Sequence, residues 1–330
     1  MKKQKRRLKT ILSTLIISLA TLSCESPPTE QSSIEEIKIG RLICGGHLSL
    51  AVVEKKYQSE LKTFRLKTVQ NHDWNDVVND MRSGVLAGSF ILSPLAMKLI
   101  KDGFPGKIVL KADRNGNGFV LSKKFKSIAD LRTTKSILAV PHIYSQHHVL
   151  LQMVLKQHEI PLENVTILGM PPRDMIASLK NAEIDGFLVG EPEGNKAISL
   201  NVGWMAAISP EIWKDHMDHV FIATNEFIEN KPEQMQELIN NLVRGGKFIE
   251  ENPKQAAEMG VDYTGSAAEV FEKVLTTPPD WIDYSDMVPT SSDMKLMAEK
   301  LVAMKLWAEV PKNIEQYTDI SFVTRASGKQ

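Results

Sequence analysis

The chain has 330 residues, of which 42% are hydrophobic and 24% charged, and its 40 Lys and Arg residues balance 40 Asp and Glu residues. This composition has no basic excess, which argues against a nucleic-acid-binding protein. Two cysteines are too few for a disulfide framework. The length suits two lobes of ordinary domain size.

The first segment is basic and then apolar. Six Lys or Arg residues lie within residues 1–9, and the apolar run Ile11–Leu22 that follows is too short to span a bilayer. This order is typical of a secretory signal peptide, which we assign to residues 1–23. Its removal would leave 34 of the 40 basic residues against 40 acidic ones, so the mature chain is mildly acidic.

The end of this segment favours a lipid anchor. Ser23 before Cys24 suggests lipoprotein processing with a lipid on Cys24, although Thr21 departs from the usual pattern, and a simple secretory signal or a plain membrane anchor is the alternative. Residues 24–35 then form a polar tether. We expect an exported, membrane-anchored protein that faces the periplasm or the extracellular side. Cys44 would have no disulfide partner and is predicted to be a small buried apolar residue.

Strand and helix patterns alternate in the first part of the mature chain. Alternating or wholly apolar runs predict strands at residues 36–42, 63–70, 85–92 and 107–111. Amphipathic patterns predict helices at residues 47–57, 73–83 and 94–102. Asp73 is a suitable N-cap for the second helix, and Pro94 opens the third. This alternation implies a largely parallel sheet with helices on both faces.

Residues 115–118 (NGNG) interrupt the alternation, which then restarts as a second α/β unit. Its predicted strands are residues 137–140, 165–168, 186–189 and 204–208. Its predicted helices are residues 127–132, 145–158, 172–181 and 193–200. One more strand is predicted at residues 219–224. The remainder is mostly helical, with long amphipathic runs at residues 232–250, 253–259 and 292–304.

These patterns predict an α/β fold of two lobes, with two hinge crossings and a helical C-terminal tail on the first lobe. The first lobe is assigned residues 36–119 and 222–330, and the second lobe residues 120–221. Closure of such a hinge traps a ligand between the lobes.

The run Pro171–Ile198 is the most informative part of the sequence. A helix opened by proline leads to the short apolar strand Gly186–Gly190, which ends at Glu191 before another helix. Ligands bind at the carboxyl ends of strands in open α/β sheets, and helix N-termini offer free N–H groups to anions. Glu191 is therefore predicted to bind a ligand, bind a metal or cap the following helix.

The chain resembles the solute-binding lipoproteins of ABC importers in the nitrate, bicarbonate and sulfonate branch, which are type II periplasmic binding proteins. The resemblance covers nearly the whole mature chain. It rests on residues 37–40 (IKIG), 72–84 with Trp74, 115–122 (NGNGFVLS), 145–147 (SQH), 171–198, 212–219 (IWKDHMDH) and 317–322 (YTDISF).

The resemblance implies a two-lobed receptor that hands a small polar solute, above all an oxyanion, to an ABC permease and its ATPase and performs no chemistry. It implies ligand contacts from Trp74, Asn117 and His147, which match the family's tryptophan, amide and histidine. His219 stands where nitrate-binding members have a lysine. Because histidine titrates near neutral pH, we expect anion affinity to weaken above about pH 6.5. Bicarbonate-binding members use calcium and a carboxylate at this place, whereas this chain has the imidazole of His219.

The remaining predicted ligand contacts are Gly46, His47, Gln146 and Glu191. Gly46 and His47 belong to a Gly-Gly-His loop, which stands here in place of the family's usual Thr-Asp pair. No cofactor is predicted. The alternative is a divalent transition metal, which the histidines 47, 147, 216 and 219 would hold together with Glu191.

Three other functions stay open at this point. Pyrimidine-synthesising relatives share the fold and use histidine chemistry with iron, although the leader argues against a cytoplasmic enzyme. The other two are a receptor for aromatic heterocycles and a receptor module that passes its signal to a sensor protein. His148, next to His147, is predicted to face solvent.

Overall fold

A computed structural model describes residues 34–328. The predicted signal peptide, Cys24 and residues 24–33 of the predicted tether lie outside the described residues. From Ile34 onward the chain forms one compact unit. No helix within residues 34–328 combines the length and the apolar character needed to cross a membrane.

Two five-stranded sheets form the frame of the described part of the chain, and the short strands Arg114–Asn115 and Ile282–Asp283 pair separately as a small antiparallel sheet. The strands are β1 (Glu36–Arg41), β2 (Arg65–Gln70), β3 (Gly88–Leu92), β4 (Gly106–Lys111), β5 (Arg114–Asn115), β6 (Asn117–Ser122), β7 (Ser136–Val140), β8 (Val165–Gly169), β9 (Gly186–Gly190), β10 (Gly203–Ile208), β11 (His219–Thr224) and β12 (Ile282–Asp283).

The first sheet has the order β2-β1-β3-β11-β4 and the second the order β10-β6-β9-β7-β8. In the first sheet β1 pairs in parallel with β2 and β3, and β11 runs antiparallel to β3 and β4. In the second sheet β7 pairs in parallel with β8 and β9, and β6 runs antiparallel to β9 and β10. In each sheet, one strand therefore runs antiparallel to a neighbour that is distant in sequence. β11 begins beside the end of β3, and β6 begins beside the end of β9.

The helices are α1 (Leu48–Val52), α2 (Trp74–Arg82), α3 (Ser93–Lys101), α4 (Gln146–Gln157), α5 (Pro172–Lys180), α6 (Glu193–Ser199), α7 (Ser209–Ile212), α8 (Asn225–Asn230), α9 (Pro232–Glu251), α10 (Pro253–Thr264), α11 (Ala268–Thr276), α12 (Ser291–Ala303) and α13 (Ser321–Ala326). Asp73 caps α2 as predicted, since its Oδ1 accepts from the backbone N–H groups of Asn75 and Asp76 at 2.8 and 3.0 Å.

The predicted two-lobed α/β fold with a helical tail on the first lobe is confirmed. Side chains of α9, α10 and α11 share one apolar core with β1, β2, β4 and α1. Two smaller cores lie on the faces of the second sheet. Burial on both faces explains the almost wholly apolar strands β3 and β9.

The lobe boundaries differ from the prediction. The expected boundary at residues 119 and 120 falls inside β6, which pairs along its length within the second sheet. The expected return at residues 221 and 222 falls inside β11, which belongs wholly to the first sheet. The chain changes sheet at residues 112–116 and again at residues 209–218. Each of these two strands pairs within a single sheet, so both crossings lie just before the strand that was expected to contain them.

Candidate functional site

The two sheets bring their strand ends together at one buried point. Asn117 opens β6 opposite Gly190 at the end of β9, and His219 opens β11 opposite Leu92 at the end of β3. The starts of the antiparallel strands therefore meet the carboxyl ends of the parallel ones. Side chains at these positions converge although they lie more than a hundred residues apart in sequence.

Three predicted site residues with aromatic rings gather around a fourth, His219. The ring centroid of His219 lies 5.2 Å from that of His47, 5.9 Å from Trp74 and 6.3 Å from His147. All four side chains are buried. Trp74 begins α2, His47 ends the turn before α1, and His147 lies in the first turn of α4, so the cluster draws on three different helix starts.

His219 links a thiol to two carboxylates. Its Nε2 lies 3.4 Å from Sγ of Cys44, and its Nδ1 lies 3.0 Å from Oδ2 of Asp218 and 3.3 Å from Oδ1 of Asp113. The backbone N–H of His219 also donates to Asp113 Oδ1 at 2.9 Å. Asp218 in turn accepts from the side-chain amide of Gln146 in the other lobe.

These contacts decide the charges at the centre of the site. Burial alone would lower the pKa of His219, but Cys44, Asp218 and Asp113 together raise it well above its usual value. Burial alone would raise the pKa of Asp218, but the charge and the hydrogen bond of His219 hold it well below its usual range. Burial and the charge of Asp218 raise the pKa of Asp113 to about 6. The predicted loss of a cation above about pH 6.5 is therefore displaced to a higher pH.

Burial shifts the outer groups of the site toward their neutral forms. Burial lowers the pKa of His147 to about 3, and burial together with the neighbouring His219 lowers that of His47 well below its usual value. Burial raises the pKa of Glu191 to about 7. One imidazolium lies between two acids, so the centre of the site holds no uncompensated positive charge.

Several buried polar atoms of the site have no hydrogen-bond partner in the protein. They are His47 Nε2, Trp74 Nε1, Asn117 Oδ1, Gln146 Oε1, both ring nitrogens of His147, Glu191 Oε1 and Nδ1 of His219, which lies beside its two carboxylates. Buried polar atoms are almost always paired in folded proteins, since leaving one unpaired costs about 1–3 kcal/mol. A concentration of unpaired atoms in one place is typical of a site that holds a ligand.

A cavity of about 10 Å³ next to Trp74, His147 and Glu191 has room for about one water molecule. Its lining comes from both lobes and comprises Ile43, Cys44, Trp74, Pro141, His147, Pro172, Val189, Gly190, Glu191, Pro192, Glu193, His219 and Thr264. A methyl group on Gly190 would lie 3.6 Å from Cys44 Sγ, 3.6 Å from His147 Nε2 and 3.8 Å from Asn117 Oδ1. The absent side chain at Gly190 thus leaves the space that these three atoms face.

The other predicted site residues have mixed roles. Gly46 permits close approach, because a Cβ there would lie 2.3 Å from His219 Nδ1. Glu191 caps α6 through Oε2, which accepts from the N–H of Asn195 at 2.9 Å, while its Oε1 stays unpaired. His216 binds Asn117 Nδ2 through Nε2 at 3.0 Å and the Trp213 carbonyl through Nδ1 at 2.7 Å.

Three residues at the centre were missed by the sequence analysis. Cys44, predicted to be a buried apolar residue, is half-buried and contacts His219. Asp113 follows the end of β4, and Asp218 directly precedes His219. Its position just after the end of β4 was the signal that could have identified Asp113. The prediction that His148 faces solvent was wrong, because its Nδ1 binds the Ile143 carbonyl at 2.9 Å and the side chain is buried.

Two sets of side chains around His219 have the composition of a metal site. The sulfur of Cys44 and one nitrogen each from His47 and His219 all lie within 4.8 Å of one another, and so do atoms of Asp113, Asp218 and His219. The predicted set of four histidines with Glu191 does not assemble as such, because both ring nitrogens of His216 are engaged elsewhere.

Comparison with known proteins gives a family and several relatives. Residues 30–261 match the family described as the NMT1-like family. The nitrate/nitrite binding protein NrtA of Nostoc sp. is 23% identical over an alignment of 299 positions, which covers 82% of this chain and 65% of NrtA. The nitrate import ATP-binding protein NrtC of Synechocystis sp. is 28% identical over 66% of this chain and 36% of NrtC. The chain therefore spans about two-thirds or less of these relatives.

Solved structures share the fold at low identity. A zinc-bound ligand-binding component of an ABC-type import system from Staphylococcus aureus has a TM-score of 0.81 at 22% identity, covering 89% of this chain and 99% of that one. The periplasmic nitrate-binding protein NrtA of Synechocystis has a TM-score of 0.82 at 16% identity, covering 90% and 89%. The periplasmic aliphatic sulphonate binding protein SsuA of Escherichia coli has a TM-score of 0.69 at 13% identity, covering 87% and 92%.

Proposed function

Because this chain belongs to the NMT1-like family and is homologous to the substrate-binding proteins of nitrate importers, we propose that it is the substrate-binding component of an ABC importer. In this role it captures a small oxyanion of the nitrate, bicarbonate and sulfonate class between its two lobes. It then releases the anion to a membrane permease. The relatives that carry ATP-binding names support an ATPase as the further partner.

The observation that carries the proposal is the group of unpaired polar atoms in the cleft. Trp74 Nε1 is an N–H donor without a protein acceptor, and Trp74 lines the same cavity as His147, whose ring nitrogens are also unpaired. A planar oxyanion accepts hydrogen bonds in the plane of its oxygen atoms and presents a flat face to aromatic rings. Both kinds of contact are available to an anion that enters between Trp74, His147 and His219.

The cleft is suited to capture by closure. The cavity has room for about one water molecule in this closed arrangement, and its lining is shared between the lobes. An anion of four or more heavy atoms therefore requires the lobes to adjust around it. Binding is then coupled directly to hinge closure, and the closed conformation is what an importer recognises in its receptor.

We propose that the chain performs no chemistry on its solute. The relatives named for transport support this, and recovery of unchanged solute after long incubation with the protein is the direct check. We also propose that the chain is exported, that residues 1–23 are its signal peptide, and that a lipid on Cys24 anchors it to the membrane. Mass spectrometry of Cys24 in the mature chain tests the anchor.

The function is tested by titrating the full chain with nitrate, nitrite, bicarbonate and methanesulfonate, with thermal shift as a first screen and calorimetry as the measure of stoichiometry. We expect one member of the set to raise the melting temperature and to bind at one site per chain. If none of the four binds, whether or not divalent metals are present, the oxyanion proposal is refuted.

A further inference from the structure

We propose that Cys44, His47 and His219 bind a single divalent transition-metal ion of the zinc class in the cleft. The existence of this site follows from the geometry of the three side chains alone. Its role in capturing the solute rests on the proposed function, because the ion would provide the uncompensated positive charge that the centre of the site otherwise lacks.

The three donor atoms are close to the separations that zinc requires. Zn–S and Zn–N bonds of about 2.3 and 2.0–2.1 Å place ligands of a tetrahedral ion about 3.3–3.6 Å apart. Sγ of Cys44 and Nε2 of His219 are already 3.4 Å apart, and the nitrogen of His47 lies within 4.8 Å of both donors. An inward movement of about 1 Å by one imidazole completes the set.

Both imidazoles are held by their second nitrogen, as metal-bound histidines usually are. Nδ1 of His219 faces Asp218 at 3.0 Å. Nδ1 of His47 lies 3.2 Å from both the backbone N–H and the carbonyl of Leu42, and in one of its two tautomers it donates a proton to the carbonyl. In that tautomer Nε2 of His47 carries a lone pair and is buried without any partner in the protein. Nε2 of each ring is then available to the ion.

The charges around the site suit a cation. Asp113 and Asp218 lie directly behind His219 and are buried, so they would balance the charge of a divalent ion that replaces the ring proton. Thiolate and imidazole donors favour zinc and similar ions over Ca²⁺ and Mg²⁺, which prefer oxygen ligands. The ligand set therefore differs in kind from a carboxylate–calcium site.

One coordination position stays open. Three protein ligands leave the fourth place of a tetrahedral ion to water or to a bound solute. The cavity of about 10 Å³ next to Cys44 and His219 has room for that one small ligand. Trp74 and His147 line the same cavity, so an oxyanion that coordinates the ion there would also meet their N–H groups.

The competing position is on the other side of the His219 ring, between Asp113 and Asp218. There the backbone N–H of His219 already donates to Asp113 Oδ1 at 2.9 Å, and Nδ1 of its ring lies 3.0 Å from Asp218 Oδ2. The Cys44 side instead offers a thiolate together with the unpartnered Nε2 of His47, which are donors that zinc-class ions prefer. We therefore place the ion on the Cys44 side.

The test uses the full chain with Cys24→Ser, which leaves Cys44 as the one thiol among its two cysteines. The metal-free protein is titrated with ZnCl₂ in the presence of a competing chelator, and with CoCl₂ while the near-ultraviolet spectrum is recorded. We expect one ion per chain and a thiolate-to-cobalt charge-transfer band. Cys44→Ser should abolish the band, and His47→Gln or His219→Gln should weaken zinc binding by more than about 100-fold.

His158→Gln is the matched control, because His158 lies at the end of α4 away from the cleft, and its zinc affinity should equal that of the parent. Alkylation of Cys44 offers a readout that needs no variant of the site, since bound zinc should slow the reaction with iodoacetamide. Equal alkylation rates with and without zinc would refute thiolate ligation.

The proposal fails if the full chain binds no zinc, or if Cys44→Ser retains both affinity and the cobalt band. It also fails if Asp113→Asn abolishes binding while Cys44→Ser does not, which would place the ion on the carboxylate side. Titration of the oxyanions with metal-free and zinc-loaded protein separates the two proposals. An anion that binds a chain unable to bind zinc overturns only the metal site, and zinc binding without any anion overturns only the oxyanion.

Discussion

The backbone N–H of Gly45 donates to the backbone carbonyl of Glu191 at 3.1 Å. This hydrogen bond joins the loop after the first strand of one lobe to the end of a central strand of the other. Only glycine fits at this position, because a Cβ on Gly45 would lie 2.3 Å from the backbone carbonyl oxygen of Glu191.

Gly45→Ala should therefore hold the lobes apart and weaken ligand binding. We expect a larger radius of gyration in small-angle scattering and at least about a tenfold loss of affinity, equal to about 1.4 kcal/mol, for whichever solute binds the parent. Gly169→Ala is the matched control, because a Cβ there has no atom within 4 Å and the residue has no positive φ. If Gly45→Ala closes and binds like the control, this hydrogen bond does not define the closed state.

Trp74→Phe should reduce anion affinity by about 10- to 100-fold with little loss of stability, since hydrogen bonds to charged groups contribute about 1.5–3 kcal/mol. The change keeps an aromatic ring but removes the unpaired Nε1 donor. Trp204→Phe is the control, because Trp204 Nε1 donates to the Phe125 carbonyl at 3.0 Å outside the cleft. Calorimetry of both variants checks the prediction, and equal affinities would remove Trp74 from the site.

Glu191→Gln should change how stability depends on pH. Burial raises the pKa of Glu191 to about 7, against a usual 4.5. The folded state therefore favours the protonated carboxyl, and ionisation costs stability progressively as the pH rises from about 4.5 to about 7. At pH 8 the Gln variant should be more stable than the parent, relative to pH 4.5, by about 3 kcal/mol.

Urea unfolding of metal-free parent and variant at several pH values measures this difference. Glu183→Gln is a suitable control, since Glu183 accepts from Ser178 near the exposed end of α5. A stability difference between Glu191→Gln and the parent that stays constant from pH 4.5 to 8 would show that Glu191 titrates normally.

Asp286→Asn should destabilise the first crossing between the lobes. Lys111 is fully buried, and its ammonium lies 2.7 Å from Asp286 and 3.7 Å from Asp293, which also pair with Arg114. Removing the nearer carboxylate leaves a buried cation with a weaker partner. We expect a loss of about 2 kcal/mol in the free energy of unfolding, less than for a fully buried pair because Asp286 is partly exposed.

Asp102→Asn provides the comparison for Asp286→Asn. Asp102 forms an exposed pair with Lys98 one helical turn away, and such pairs contribute only about 0.3–0.5 kcal/mol. Chemical unfolding of both variants should separate them clearly. Equal losses would show that the Lys111 ammonium is better solvated than its burial indicates.

The alternation of strands and helices was predictable because each element carries its own local pattern. The run from Pro172 to Ser199 shows this well, since helix, strand and helix begin and end within one or two residues of the expected bounds. Asp73 and Pro172 signal helix starts through one side chain each. Such signals depend on neighbours in sequence and need no knowledge of the tertiary fold.

The pairing of the site residues was less predictable. Trp74, His147 and His219 were identified through strand ends and a family resemblance, and the structure brings them together. The charges at the centre depend instead on Asp113 and Asp218, which meet His219 only when the crossing segments fold back. Cys44 looked like a core residue because a single cysteine has no local pattern.

The lobe boundaries were misplaced for a similar reason. Glycine and asparagine at residues 115–118 suggested a break but did not show which strand of which sheet would follow. Strand pairing, which is a long-range property, places all of β6 in the second sheet.

The tight space between Trp74, Cys44 and Glu191 also has a kinetic consequence. A ligand enclosed between the lobes cannot dissociate while the lobes are closed, so its dissociation rate cannot exceed the rate at which the hinge opens. Residence time is then set by the contacts that hold the halves together, such as Gly45 with Glu191 and Gln146 with Asp218. A membrane partner that breaks these contacts would release the ligand without having to compete with the protein for binding it.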